Sequence, residues 1–342
     1  MKNSSVELND WRALYQAAEK FRNLRCWEWM NDPDVFGVQN PSTGEIGYGC
    51  VMGSLGDLFG LVVYLGREGL ENYLKIISLG SADPDPDFAF TQKCLMASFE
   101  HRGALRKEDY QVIKELGLKF RGSDHWPLFR FYDPGYFPWF LNSEQVIYLT
   151  LVLEQAIDVA VRRRDNEDLL ISPEEDLYFV RVPEMTGQGL QWKDEWPKPA
   201  PLVPKTIVPS ESNMAVVRRI AQANLPKGGT WEIDFFFTSA VVKDDDRPFF
   251  PLVSMVVDHN NGMIIHFSIA NVSEGYPKLL SDLLKFVEGV GSLPNRILVC
   301  RTETFCLLTP VAEQLGIKIH KTIELTLIEE AREHLSQFFM QT

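Results

Sequence analysis

The chain is poor in the features that most directly announce a chemistry. Cysteine is scarce: Cys26, Cys50, Cys94, Cys300 and Cys306 are an odd, widely scattered set of five with no C-x-x-C pair. That gives no support to a zinc-finger or thioredoxin-type site, and buried, reduced thiols of a cytoplasmic protein are the expectation. No apolar run approaches the ~20 residues that a membrane helix needs, and the opening MKNSSVELNDWRAL lacks the apolar core of a secretory signal. Positive charge is in deficit, since 34 Lys and Arg against 47 Asp and Glu leave a formal net charge of -13. On average that potential repels polyphosphate, so general nucleic-acid binding is disfavoured and only a local basic groove would permit it. The patterns G-x-S-x-G, P-loop, G-x-G-x-x-G and H-E-x-x-H do not occur. A cytoplasmic protein with no membrane association and partners unknown is the expectation.

What the chain does have is the composition of a folded protein, 45% hydrophobic and 24% charged. At 342 residues it is long enough for two cores. Asn9 or Asp10 is placed to cap a first helix running to about Leu24. Asn40-Pro41-Ser42-Thr43-Gly44 is turn chemistry between two extended runs, and Phe59–Gly66 reads as a third strand. A helix from Glu68 to Ser78 and a loop at Asp83-Pro84-Asp85-Pro86-Asp87 follow. Asn142 with Gln145 forms a capping box for a long helix with an apolar stripe through Val146, Leu149 and Leu153. Arg162-Arg163-Arg164 at its end suits the helix dipole. Asp176 to Val182 looks like one more strand, and the proline-rich stretch after it reads as a semi-rigid linker.

The last third is the most ordered in its pattern. Thr230 to Val242 reads as a strand with Asp234 at its centre. Asp258-His259-Asn260-Asn261-Gly262 sits between two apolar runs and signals a hairpin. An amphipathic helix from Glu274 to Glu288, the short apolar strand RILVC, a helix, a strand near Ile317–His320 and a closing helix from Leu325 follow. A helical crossover between strands of one sheet is right-handed, which places RILVC beside the Asp234 strand. Asp244-Asp245-Asp246 reads as a solvated loop.

This order of elements resembles the ribonuclease-H-like superfamily, in particular the integrase and transposase core. The local likenesses are Trp231 and Asp234 on the first strand, Asp258-His259 and Gly262 in the hairpin, and Gly316-Ile317 before the fifth strand. The whole chain also resembles a two-domain bacterial family of unknown function, on the segment WEWMNDPDVFGVQNPSTGEIGYGCVMG. The superfamily resemblance implies two divalent ions, Mg or Mn, clamping a phosphodiester between converging carboxylates. It assigns the first acid to Asp234, with Glu329 or Glu330 on the last helix as candidates for the third. The second acid should end RILVC, where this chain carries Arg301. A guanidinium cannot ligate a cation, but it can pair with Asp234 and replace the metal by a salt bridge. Glu303 or Asp258 would have to supply the missing oxygen.

Three readings follow. In the first, the protein has no cofactor and no catalysis, and is a binding or scaffold protein on a degenerate ribonuclease-H-like domain. In the second it is a metal-dependent nuclease or transposase-like enzyme using Asp234, Asp258 or Glu303, and Glu329 or Glu330. In the third, Trp27, Trp29, Tyr132, Tyr136 and Trp139 form a ligand or partner surface in the N-terminal half, against the alternative that these rings are packed core. The expected architecture is an α+β domain with an antiparallel sheet over residues 1–183, a proline-rich linker over 184–209, and an α/β domain over 210–342 with a mixed five-stranded sheet flanked by helices.

Overall fold

The computed structural model describes residues 6–56, 58–79, 87–187, 189–202, 207–243 and 247–340. The acid–proline loop at 83–86 and the triple aspartate at 244–246 lie outside them. The chain divides into two units, one of residues 1–134 and 138–202, the other of residues 135–137 and 203–342.

The first unit is built on a seven-stranded sheet. Helix α1 (Leu8–Leu24) precedes β1 (Phe36–Gln39), β2 (Ile46–Met52) and β3 (Phe59–Leu65). Then come α2 (Gly66–Leu79), β4 (Cys94–Glu100), α3 (Lys107–Glu115), β5 (Trp126–Tyr132), α4 (Ser143–Asp165), β6 (Val180–Thr186) and β7 (Gly189–Glu195). The strand order is β5-β4-β3-β2-β1-β6-β7. Every pair is antiparallel except β1 with β6, so the expected antiparallel sheet is in fact mixed. The cause is α4: it carries the chain from the β5 edge across the sheet, and β6 is laid down beside β1 in the same direction.

Strand alternation sorts the side chains into two cores. Phe36, Val38, Val51, Leu61, Val63, Leu95, Ala97 and Phe129 join α1 and α4 residues in the larger cluster. Tyr48, Cys50, Val62, Tyr64 and Cys94 face the other way, with Leu70 and Tyr73 of α2. The α4 capping box forms as its sequence requires, with Asn142 accepting from the Gln145 amide at 2.9 Å. Helix α1 starts earlier than expected: Glu7 holds the N-cap position without a side-chain cap bond, and Asn9 and Asp10 lie inside the first turn. One buried hydroxyl joins helix and sheet. Tyr148 donates to the Val38 carbonyl and accepts from the Gly47 amide, both at 2.7 Å. Val38 and Gly47 are register partners of β1 and β2, so the hydroxyl stands between the two strands.

The segment read as a linker from residue 184 carries strand structure. Pro183 pairs with Trp192 of the edge strand β7 and lies beyond the short β1–β6 register, which ends at Arg181, so its missing N–H interrupts no bond to β1. The division between the units falls after Leu202.

The second unit begins with α5 (Glu211–Gln222), capped by Ser210. It continues through β8 (Thr230–Phe237), β9 (Leu252–Asp258), β10 (Ile264–Ala270), α6 (Gly275–Val290), β11 (Arg296–Val299), α7 (Thr302–Leu315), β12 (Lys318–Lys321) and α8 (Thr326–Met340). The sheet order is β10-β9-β8-β11-β12. The first three strands are antiparallel neighbours, and β11 and β12 run parallel to β8. Gly262, at φ 72°, closes the β9–β10 hairpin. Gly291 and Gly316 end α6 and α7 in the left-handed conformation.

Candidate functional site

Strand β8 is buried on both faces, and its alternation decides what each face can do. Trp231, Ile233 and Phe235 enter the larger core of this unit, with Leu279, Leu283, Leu307 and Val311 of α6 and α7. Glu232, Asp234 and Phe236 point to the opposite face, where Leu325, Ile328 and Ala331 of the α8 region pack. Two carboxylates therefore sit on the inner side of a central strand, Glu232 at 2% exposure and Asp234 at 0%. Buried charges of this kind require partners, and each carboxylate has its own set.

Asp234 is held from three directions. The Arg301 Nε donates to its Oδ2 at 2.9 Å. The Phe235 amide and the Thr304 hydroxyl donate to its Oδ1 at 3.0 and 3.3 Å. The register explains Arg301: Leu298 of β11 stands level with Glu232, so Cys300 is level with Asp234 and Arg301 leaves the strand end as the N-cap residue of α7. Burial pushes the Asp234 carboxyl above the ordinary aspartate range, against the pull of Arg301 and, more weakly, Arg332. Arg332 lies 4.4 Å from the Phe236 ring and pairs with Glu329 at 3.3 Å. Burial, with the Asp234 charge adding to it, pushes the neighbouring Cys300 thiol up to about 11, so it is no nucleophile at neutral pH.

Glu232 receives the His259 Nδ1 at 2.8 Å on one oxygen and the Ile328 amide at 3.3 Å on the other. That amide belongs to the first turn of α8, where N–H groups lack intrahelical partners. A buried carboxylate on the central strand thereby anchors the start of the last helix.

The remaining candidate acids do not converge on Asp234. Asp258 pairs with Trp231, three register positions along the strand or about 10 Å away. Its oxygens are taken by Asn260 N–H at 2.9 Å, Asn260 Nδ2 at 3.1 Å and Asn261 Nδ2 at 3.4 Å. Glu303 is exposed, and the side chain that meets Asp234 from this turn is Thr304. Glu330 is exposed, and Glu329 pairs with Arg332. Among the described residues no group of three or more His, Cys, Asp or Glu is placed to hold a metal ion. A hard divalent ion needs several converging oxygens. The residues around Asp234 instead offer one carboxylate already facing a guanidinium, and they do not fit a two-ion centre.

The aromatic candidates are likewise dispersed. Trp27 packs on Phe21, Phe59 and Phe99, with ring centroids 5.0 to 6.2 Å apart. Trp29 donates its indole N–H to the Ala160 carbonyl at 2.9 Å. Tyr132 packs in the core on the α2 side of the sheet, and Trp139 against Phe140 and Arg106. Tyr136 belongs to the second unit, bridged to Phe249 beneath Arg247. These rings do not line one cavity.

Glu232, Thr304 and Arg332 escaped the sequence reading. For Glu232 there was a signal: in TWEIDFFF it alternates with Asp234, so both acids share a face of a buried strand. For Thr304 and Arg332 there was none, because their meeting with β8 is tertiary.

Comparison with known proteins yields little on function. No curated protein matches the chain. Among solved structures, the chain is similar to the HTLV-2 integrase catalytic core domain in complex with magnesium, at 16% identity and a TM-score of 0.23, over 34% of this chain and 75% of that one. Residues 216–336 match the family model described as Domain of unknown function (DUF6930). Residues 11–181, half of the chain, match another, and by that match the protein belongs to the family described as Domain of unknown function (DUF7309).

Proposed function

We propose that the second unit is a ribonuclease-H-like domain in which Arg301 stands where a catalytic metal ion would bind, and that it serves as a non-catalytic binding scaffold. The observation that carries this reading is the 2.9 Å contact between the Arg301 Nε and the fully buried Asp234. The sheet supports the fold assignment, with three antiparallel strands followed by two parallel ones and the first strand at the centre. The guanidinium supplies the positive charge that Asp234 needs, permanently and without a vacant coordination position. A phosphodiester oxygen brought to this point would meet no Lewis acid and no bound water activated by one. The net charge of -13 argues in the same direction, since it keeps nucleic acid away from the molecule as a whole.

The experiment is thermal unfolding of the wild-type protein and of Asp234→Asn, with and without millimolar Mg²⁺ or Mn²⁺. The expected result is that neither ion raises the melting temperature of either protein. A rise of several degrees in wild type that Asp234→Asn abolishes would overturn the reading in favour of a metal-dependent enzyme.

A further inference from the structure

We propose that the first unit carries a binding site for a nucleoside phosphate, in the cleft bounded by α3, the loop that follows it and the start of β5. The cleft is shallow and open to solvent, with a volume of about 520 Å³. Its wall carries the rings of Tyr110, Phe120 and Trp126, and its rim carries Arg102, Lys114, Lys119 and Arg121. No carboxylate lines it.

The charge is what sets this cleft apart. In a chain with 13 more acidic than basic residues, four exposed cations surround one opening, and none of the four forms an ion pair among the described residues. Several other guanidinium groups of this unit are paired, among them Arg130 with Asp109, Arg162 with Asp194 and Arg163 with Asp34. The helix dipole accounts for Lys114, in the last turn of α3. It does not account for Arg102, Lys119 and Arg121, which lie outside the helix. Four like charges around one cleft repel one another, and an anionic ligand relieves that repulsion.

The rings narrow the ligand further. Arg102 has its Cζ 5.6 Å from the Tyr110 centroid and 5.9 Å from that of Trp126, so its charge lies over both rings. Phe120 lies edge-on to Trp126, with centroids 5.7 Å apart at 62°. The Tyr110 hydroxyl donates to the Arg102 carbonyl, which fixes the short turn carrying that arginine. A planar heterocycle would stack on the exposed Arg102 guanidinium, which the Tyr110 and Trp126 rings back, and its phosphates would find the lysines and Arg121. Inorganic phosphate would use only the cations. A polynucleotide would have to approach an acidic molecule, which favours a mononucleotide.

The test is isothermal titration of the full-length protein with AMP, ADP and ATP in magnesium-free buffer, with inorganic pyrophosphate and a short single-stranded oligonucleotide as separate arms. Leaving out the metal keeps the outcome independent of the second unit. The expected result is micromolar to submillimolar binding of nucleotides, with pyrophosphate weaker by about tenfold or more. The double variant Lys119→Glu, Arg121→Glu changes only exposed loop side chains, and its fold is checked by circular dichroism. It should weaken nucleotide binding by about tenfold or more. Trp126→Phe should remove the fluorescence quenching that bound nucleotide causes in wild type. No nucleotide binding at millimolar concentration, pyrophosphate binding as tightly as ATP, binding of the oligonucleotide alone, or affinity unchanged in the double variant would each overturn the proposal.

Discussion

Replacing Arg301 by methionine should destabilise the second unit by about 3–5 kcal/mol at pH 7, the cost of stripping one partner from a buried ion pair. The lower end of that range applies here. Arg301 is 11% exposed, so some water reaches the pair, and Arg332 remains as a weaker source of positive charge on Asp234. With a urea m-value of about 2 kcal/mol/M, the midpoint should fall by roughly 1.5 M. The loss should also depend on pH in a defined direction. A buried carboxyl whose folded pKa is raised favours the fold most when protonated. That contribution is complete below the unfolded aspartate pKa of about 3.9 and is lost as pH rises through the folded value. Without Arg301 the folded pKa of Asp234 climbs further, so the deficit of the variant relative to wild type should shrink between pH 7 and pH 5. Adding Asp234→Asn to Arg301→Met removes the unpaired charge and should recover most of the loss. The assay is urea unfolding at several pH values, with hydrogen exchange of peptide 230–237 reporting on β8. A cost below about 1 kcal/mol at pH 7, typical of a surface pair, or a cost that does not change with pH, would refute the reasoning.

Other perturbations probe the scaffold. Tyr148→Phe leaves the Gly47 amide and the Val38 carbonyl without the hydroxyl between them, and chemical denaturation should register a loss of about 1–3 kcal/mol. Gly47→Ala should be at least as harmful, because its Cβ would lie 2.4 Å from the same hydroxyl; unchanged stability would show that α4 can withdraw. His266 is partly buried against Phe286, with centroids 4.9 Å apart, and burial lowers its pKa. Its contribution is present above the unfolded histidine pKa of about 6.5 and is lost as pH falls through the folded value. His266→Phe keeps the stack and should flatten the stability profile between pH 7 and pH 5.

The sequence and the structure agree where local chemistry decides the outcome. Asn142 and Gln145 cap α4, and Gly262 closes the β9–β10 hairpin. Disagreement arises where tertiary pairing decides. Strand β4 (CLMASFE) has no clean alternation to mark it, because it is buried on both sides at the interior of a seven-stranded sheet. Strand β7 (GLQWKDE) is polar and follows a proline-bearing strand, and only its pairing with β6 makes it a strand. The parallel β1–β6 contact joins residues more than a hundred positions apart, beyond the reach of any local pattern.

At the candidate site the same division holds. Asp234 and Arg301 stand out in the sequence as an acid on a buried strand and a base at the end of its neighbour. Burial of Glu232 was legible in its alternation with Asp234, but its attachment to the start of α8 was not, since the Ile328 amide lies 96 residues away. The five aromatic residues failed as a group because composition alone does not say which sheet face a ring occupies. Trp27 and Tyr132 belong to opposite sides of the same sheet.

The central claim is that a guanidinium, and not a metal ion, satisfies Asp234. Its most direct test is a crystal structure grown or soaked in millimolar Mn²⁺, with anomalous data collected at the manganese edge. The account predicts no anomalous peak at Asp234 and the Arg301 Nε at hydrogen-bond distance from its carboxylate. A manganese ion bound to Asp234, with Arg301 turned away, would contradict it.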